Sequence, residues 1–378
     1  CDVVAWGAMI EGLVQNADCE EALRLFNQMQ QEKITPDRVV TISVLKACCN
    51  ESLFYDGKII HCFVILNRFE SDPLINNSVI DMYAKCGMLS KAHEVLEELP
   101  ARDVVSWNAL IAGYSQQGQG HEALNCLEQM QMEDLSPNII TLTCILKACG
   151  SIGAIAKGKQ IHDDILSKGF LERDLMLGNA LMDMYAKCGA LSKAQEVLED
   201  LQVRDIVSWN TLISGYSLQR ECHQALDCFK RMEDEGVRPN AVTFLSVLSA
   251  CSHSGLFDES QILFANMIEK YDITPDIEHH NCMVMLYACA GHFDKVMSVI
   301  KAMPSSDYSA VWITLLGACC KWVNVEVGRW AFEQSLKLNG NYASIYVCMR
   351  NIYAAAGMHE EANDVECWRI RNESLEMP

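Results

Sequence analysis

The sequence predicts an all-α solenoid of helix–turn–helix repeats, and three observations carry that expectation. The stretch DVVSWNALIAGY, from Asp103 to Tyr114, returns as DVVAWGAMIEGL from Asp2 and as DIVSWNTLISGY from Asp205. Its copies start 101 and 102 residues apart, which marks a stacked array rather than separate globular domains. Within the central copy, Trp107, Leu110, Ile111 and Tyr114 fall at i, i+3, i+4 and i+7, the stripe of an amphipathic helix.

Gly118 and Gly120 break that pattern, and a second helix is expected from about His121. Its buried stripe would be Ala123, Leu124, Leu127 and Met130. It should stop before Ser136-Pro137, because the residue preceding a proline is pushed out of the helical region. Neither short helix can bury its stripe alone, so units must stack.

The unit after it begins at Ile139 and carries Leu146-Lys147-Ala148-Cys149 and Gly158-Lys159-Gln160-Ile161-His162. Its twins carry Leu45 to Cys48 with Gly57 to His61, and Leu248 to Cys251. A shorter third type holds Asp183-Met184-Tyr185-Ala186-Lys187-Cys188-Gly189, with its twin from Asp81 to Gly87. Units of 35, 36 and 31 residues close the observed cycle of 102. The expected array is 3–37, 38–72, 73–103, 104–138, 139–174, 175–205, 206–240, 241–276 and 277–308. Two weaker units fill 309–374, divided at 342, and the tail 375–378 is given no structure.

Half of the residues are hydrophobic, enough for a continuous core. No apolar run approaches the roughly 18 residues that span a bilayer, so no membrane partner is expected. The chain opens on Cys1 in mid-pattern and reads as a fragment. A net charge of −20 is awkward for a nucleic-acid binder, which usually shows a basic footprint. None of the 19 cysteines stands in Cys-x-x-Cys spacing, which removes the commonest zinc and redox signatures. Many recur at one repeat position, such as Cys48, Cys149 and Cys251, or Cys86 and Cys188. Such recurrence fits compact buried thiols between helices, in a reducing compartment.

SWNALIAGY, MYAKCG, VLKAC and SACSHSG in a three-unit cycle resemble the PLS subclass of pentatricopeptide repeat proteins, land-plant organelle RNA binders. The resemblance implies a right-handed superhelical solenoid. Residues 241–308 look like the subclass's final long and short repeats. Trp312 to Cys319 looks like the first E motif, and Asn351 to Gly357 like the second. Tetratricopeptide repeats pair helices similarly and bind peptides, so a protein-binding scaffold is the alternative reading.

In this family the fifth and last residues of a repeat touch one base. Uracil offers an N3–H that a carboxylate accepts, and cytosine offers an N3 to which an amide donates; unpaired bases expose these edges. Carried over, Asn77 with Asp103 and Asn179 with Asp205 resemble uracil readers. Asn108 with Asn138 and Asn210 with Asn240 resemble readers preferring cytosine, and Thr143 with Asp174 a guanine reader. Gly7 lacks the side chain expected beside Asp37, and Tyr308 replaces the usual last residue opposite Asn281. Ile42 and Leu245 are expected to contribute little. Val4, Leu74, Val105, Met176 and Val207 match the second position, whose apolar side chain flanks the bases. An Asn near a helix start can instead cap it. Four of them, each followed by Asp or Asn at the repeat end, favour base reading.

Lys85 and Lys187 take places where the family often contacts phosphate. Glu94, Glu97 and Glu98, with Glu196, Glu199 and Asp200, are expected to cluster on second helices, away from RNA. The weak basic footprint implies a shallow salt dependence of affinity. Editing proteins of this subclass often end in a DYW cytidine-deaminase domain, which needs His-x-Glu and Cys-x-x-Cys to hold zinc. His359-Glu360-Glu361 fits the first half only, and no Cys-x-x-Cys follows. The expectation is therefore a non-catalytic RNA binder in mitochondrion or plastid, without cofactor or metal. It would specify a C-to-U editing site, with a DYW-type deaminase or other editing factor in trans or missing from this fragment.

Overall fold

In the computed structural model, the described residues are 2–49, 53–171, 174–303, 309–337 and 343–375. Among them are helices, turns and bends, and no strand. The expectation for Tyr308 and the tail 376–378 lie outside the described residues. The chain forms two compact units, 1–203 and 204–378.

The first unit holds six helix pairs. They are α1 (Val3–Gln15) with α2 (Cys19–Gln31), α3 (Arg38–Ala47) with α4 (Phe54–Leu66), and α5 (Pro73–Lys85) with α6 (Leu89–Glu98). Then come α7 (Val104–Gln116) with α8 (Gly120–Met132), α9 (Ile139–Ile152) with α10 (Ile155–Ser167), and α11 (Leu175–Lys187) with α12 (Leu191–Asp200). The second unit continues with α13 (Ile206–Leu218), α14 (Cys222–Asp234), α15 (Ala241–Ser254), α16 (Phe257–Glu269), α17 (Ile277–Cys289) and α18 (Phe293–Ala302). It ends with α19 (Ser309–Trp322), α20 (Val325–Lys337), α21 (Ala343–Ala355) and α22 (His359–Leu375). Within each unit, the first helix of a pair packs on the first helix of the next, so first helices form one layer and second helices the other.

Each first helix from α1 to α17 starts on an Asp or Asn in extended conformation whose side-chain oxygen accepts a first-turn N–H. Such a cap satisfies a donor that the helix itself leaves unpaired, worth about 1 kcal/mol. The conspicuous Asp103 and Asp205 that open the repeated motif are therefore helix caps first. At the other end, Gly87 (φ 80°) and Gly189 (φ 77°) take the left-handed turn closing α5 and α11, which explains the final residue of MYAKCG.

The expected stripe is the observed core, with Trp107 3%, Leu110 0%, Ile111 0% and Tyr114 8% exposed. On α8, Ala123, Leu127 and Met130 are buried, but Leu124 is only half-buried and Cys126 fills the remaining core position. The helix ends at Met132, before Ser136-Pro137, and Asp134 then turns left-handed (φ 59°). Gly57 and Gly158, both in the GK-x-x-H motif, let second helices approach closely: a Cβ there would lie 2.6 Å from Met82 Sδ and 2.5 Å from Met184 Sδ.

Cys48, Cys86, Cys149 and Cys251 are buried between helices, and every described cysteine is free. Burial pushes the thiols of Cys48 and Cys126 up to about 12 and that of Cys149 to about 11, so they stay protonated packing groups. Burial is not universal, since Cys62, Cys289 and Cys367 are exposed. No helix among the described residues is long and apolar enough to cross a membrane.

Candidate nucleic-acid interface

The layer of first helices in the first unit carries a groove of about 640 Å³. Leu74, Val105 and Ile140 project into it from successive first helices, one residue after the first helical position. Ala109 and Ala112 keep it open, and its charged groups are Lys46 and Asp81. Asn77, Asn108 and Asn138 supply amides to the same surface.

Asn77 meets Asp103, Asn108 meets Asn138, and Asn210 meets Asn240. Asn77 Nδ2 lies 3.4 Å from Asp103 Oδ1 and 3.5 Å from Oδ2. Asn108 Nδ2 donates to Asn138 Oδ1 at 3.1 Å, and Asn210 Nδ2 donates to Asn240 Oδ1 at 3.2 Å. The fifth-position residues Asn77 and Asn108 form a floor, each 8% exposed, while Asp103 and Asn138 stand exposed at the lip. Capping falls to the lip residues: Asp103 accepts from Ser106 N–H at 2.8 Å, and Asn138 accepts from Thr141 N–H at 3.0 Å.

That division fixes what each pair can offer a base. A backbone N–H must find an oxygen, so Asn138 turns Oδ1 inward and presents its NH₂ outward. Asn240 does the same against Thr243 N–H at 3.0 Å. The Asn–Asn pairs therefore present donors. In Asp103 one oxygen caps α7 and the other keeps acceptor capacity beside Asn77.

Thr143 and Asp174 do not join. Thr143 Oγ1 donates back to the carbonyl of Ile139 at 2.8 Å, and Asp174 caps α11 through Leu177 N–H at 2.9 Å. A β-branched hydroxyl facing its own helix backbone has no reach across to the next pair. Asn179 is half-buried on α11, and Asp205 caps α13 through Ser208 N–H at 2.8 Å. Val4, Leu74, Val105, Met176 and Val207 are all exposed, at 75%, 48%, 55%, 67% and 51%.

Sequence reasoning missed that this apolar line does not skip the long-type units. Val39, Ile140 and Val242 hold the same position and are 54%, 61% and 54% exposed. Their place one residue after the first helical position was a legible signal. Ile42 also lines the groove, against the expectation that it contributes little. The two lysines expected at phosphate are each held by a carboxylate one turn earlier: Lys85 by Asp81 and Lys187 by Asp183, both at 2.7 Å.

The acidic residues expected on second helices lie on α6 and α12, where Glu94 pairs with Lys91 and Glu196 with Lys193. His359 and Glu360 are exposed at the start of α22. Among the described residues, no three His, Cys, Asp or Glu side chains gather to hold a metal ion.

Residues 2–50, 102–151 and 204–253 match the PPR repeat family, and 77–104, 179–206, 242–271 and 278–308 match the PPR repeat. The pentatricopeptide repeat-containing protein CRR2, chloroplastic, of Arabidopsis thaliana is 37% identical over 370 residues, covering 96% of this chain and 56% of its own. A putative mitochondrial pentatricopeptide repeat-containing protein of the same plant is 35% identical over 379 residues, covering 100% and 60%. Another putative member is 36% identical over 342 residues, covering 89% and 68%. The chain thus spans between 56% and 68% of the length of these relatives. Among solved structures, the pentatricopeptide repeat protein PPR10 in complex with an 18-nt psaJ RNA element superposes with a TM-score of 0.79. That likeness covers 100% of this chain and 56% of the other at 17% identity, and is one of fold.

Proposed function

The chain belongs to the pentatricopeptide repeat family, and on that premise we propose that it binds single-stranded RNA sequence-specifically, one repeat to one base. The observation that carries this reading is the difference between the lip pairs. Asn108–Asn138 and Asn210–Asn240 offer donors that suit cytosine N3, while Asn77–Asp103 keeps an acceptor that suits uracil N3–H. Asn179 with Asp205 is read as a second uracil pair. Thr143 with Asp174 is read as the weakest base selector, because the two side chains share no hydrogen bond and the Thr143 hydroxyl donates to its own helix.

In this reading Val4, Val39, Leu74, Val105, Ile140, Met176, Val207 and Val242 flank bases, since an exposed apolar side chain on each first helix from α1 to α15 suits the face of a base. The nine repeats from 3 to 308 follow the long, longer, short cycle of the PLS subclass, and 309–374 holds two E-type motifs. The role is that of a site-specificity factor for C-to-U editing in mitochondrion or plastid. Chloroplastic and mitochondrial relatives support the compartment, and a deaminase acting in trans would supply the chemistry.

The charge of −20 favours a second reading, a protein-binding scaffold. Selection from a randomised single-stranded RNA pool separates the two. Enrichment of one sequence, with C opposite the Asn–Asn pairs and U opposite Asn77–Asp103, is the expected result. No sequence-selective retention would sink the RNA reading and leave the scaffold.

A further inference from the structure

We infer that Thr141 and Thr243 are positioning residues for base selection, each setting the donor polarity of the reading pair in the repeat before its own. Thr141 Oγ1 donates to Asn108 Oδ1 at 2.6 Å, and Thr243 Oγ1 donates to Asn210 Oδ1 at 2.6 Å. Both threonines are fully buried, so the hydroxyl has no water to turn to. Each hydroxyl also accepts its own cap's N–H, from Asn138 at 3.1 Å and from Asn240 at 3.1 Å. That leaves its proton for an amide oxygen, and the fifth-position oxygen at 2.6 Å is nearer than the cap's own Oδ1 at 3.0 Å in both repeats.

The consequence is a relay of fixed hydrogen-bond direction. The N–H of Thr141 sets Asn138 Oδ1 inward. The hydroxyl of Thr141 sets Asn108 Oδ1 inward as well. Asn108 can then meet Asn138 Oδ1 only through its NH₂, which is the observed bond. Both amides therefore face the groove with nitrogen, and neither can flip to offer uracil an acceptor without breaking a buried hydrogen bond.

The contrast within the same unit is Ser106, at the equivalent place on α7. Its hydroxyl donates to the carbonyl of Asp103 at 2.8 Å instead of crossing to Asn77. The Asn77–Asp103 contact is correspondingly looser, at 3.4 Å. The threonine thus separates donor-only pairs from the acceptor-bearing one, in addition to the fifth and last residues.

This inference rests on the base-reading proposal, and its test uses the whole chain with single-stranded RNA oligonucleotides taken from the selected sequence. They differ only in C or U at the nucleotide whose preference moves in Asn138→Asp. Thr141→Val removes the hydroxyl at nearly constant shape. The expected result is a loss of about fivefold in C-over-U preference for Thr141→Val at that nucleotide, the scale of one net hydrogen bond. The preference opposite Asn77–Asp103 should not change.

An unchanged ratio in Thr141→Val would overturn the inference. So would an equal loss of affinity for every sequence, which would mark the hydroxyl as a helix cap alone. If Thr141→Val melts below the assay temperature, Thr243→Val in the other unit asks the same of the nucleotide opposite Asn210–Asn240. A wild type that shows no C-over-U preference anywhere defeats the base-reading proposal itself, an outcome distinct from failure of the threonine variants.

Discussion

His162 Nδ1 lies 3.0 Å from the hydroxyl of Tyr185, so the second helix of one pair is tied to the first helix of the next. The same tie recurs as His61 to Tyr83 at 3.0 Å and His93 to Tyr114 at 3.4 Å. In the second unit the partner changes while the tyrosine stays. Gln261 Nε2 donates to Tyr287 at 2.7 Å, and Arg329 Nε donates to Tyr353 at 3.1 Å.

These ties predict an acid sensitivity. Burial holds His61 and His162 below the ordinary imidazole value, so both are neutral in the fold. The unfolded chain takes up protons near pH 6.5 while the folded chain resists them. Their contribution to stability is thus complete above that pH and is lost as pH falls through the lowered folded value. The double variant His61→Gln with His162→Gln, copying Gln261, should keep the ties. Its melting temperature should drop less between about pH 7.5 and about pH 5.5 than that of wild type. Equal drops would mean that other groups set the acid sensitivity.

Asn138→Asp should move preference at its matched nucleotide from C toward U. The carboxylate keeps the cap on α9 and replaces an outward donor with an acceptor. A shift of about 1 kcal/mol is expected, measured as the change in the ratio of dissociation constants for two oligonucleotides differing at that base. Equal affinity for both, before and after the change, would count against the pairing.

Ile140→Ala tests whether the apolar line runs through the long-type units. The side chain is 61% exposed, so stability should change by no more than about 0.5 kcal/mol. Affinity should fall by about 1 kcal/mol whichever base stands there, because a packed face carries no base code. A fall restricted to one base would contradict a flanking role.

Asp81→Asn should release Lys85 from its 2.7 Å ion pair. RNA affinity should rise at low salt, and the slope of log affinity against log salt should steepen by about 0.7, the value for one added phosphate contact on a single strand. Titrations at four salt concentrations would measure it. An unchanged slope would place Lys85 away from phosphate.

Gly158→Ala should destabilise the first unit by about 1–3 kcal/mol, since its Cβ would lie 2.5 Å from the buried Met184 Sδ. Met184→Ala costs about 2–5 kcal/mol by itself, but in that background the further cost of Gly158→Ala should shrink, because the space that the Cβ needs is open. Denaturant melts of the single and double variants would show the coupling. Strictly additive losses would mean that the clash is relieved elsewhere.

The sequence by itself determined the helix pairs, the family and the buried stripe, because a stacked array repeats the same local problem at a fixed interval. Trp107, Leu110 and Ile111 could be placed inside from spacing alone. What only the tertiary structure decided lies between repeats. It brought Asn108 to Asn138 and kept Thr143 from Asp174, a difference that depends on which way a buried hydroxyl points. It put Lys85 in the hold of Asp81, and it extended the exposed apolar line through Val39, Ile140 and Val242. Hydrogen-bond direction is set by the sum of donors and acceptors around a group, and for Asn108 that sum includes Thr141, 33 residues further along the chain. Spacing can bring two residues to one surface, but the polarity of their contact is fixed by the third group packed beneath them.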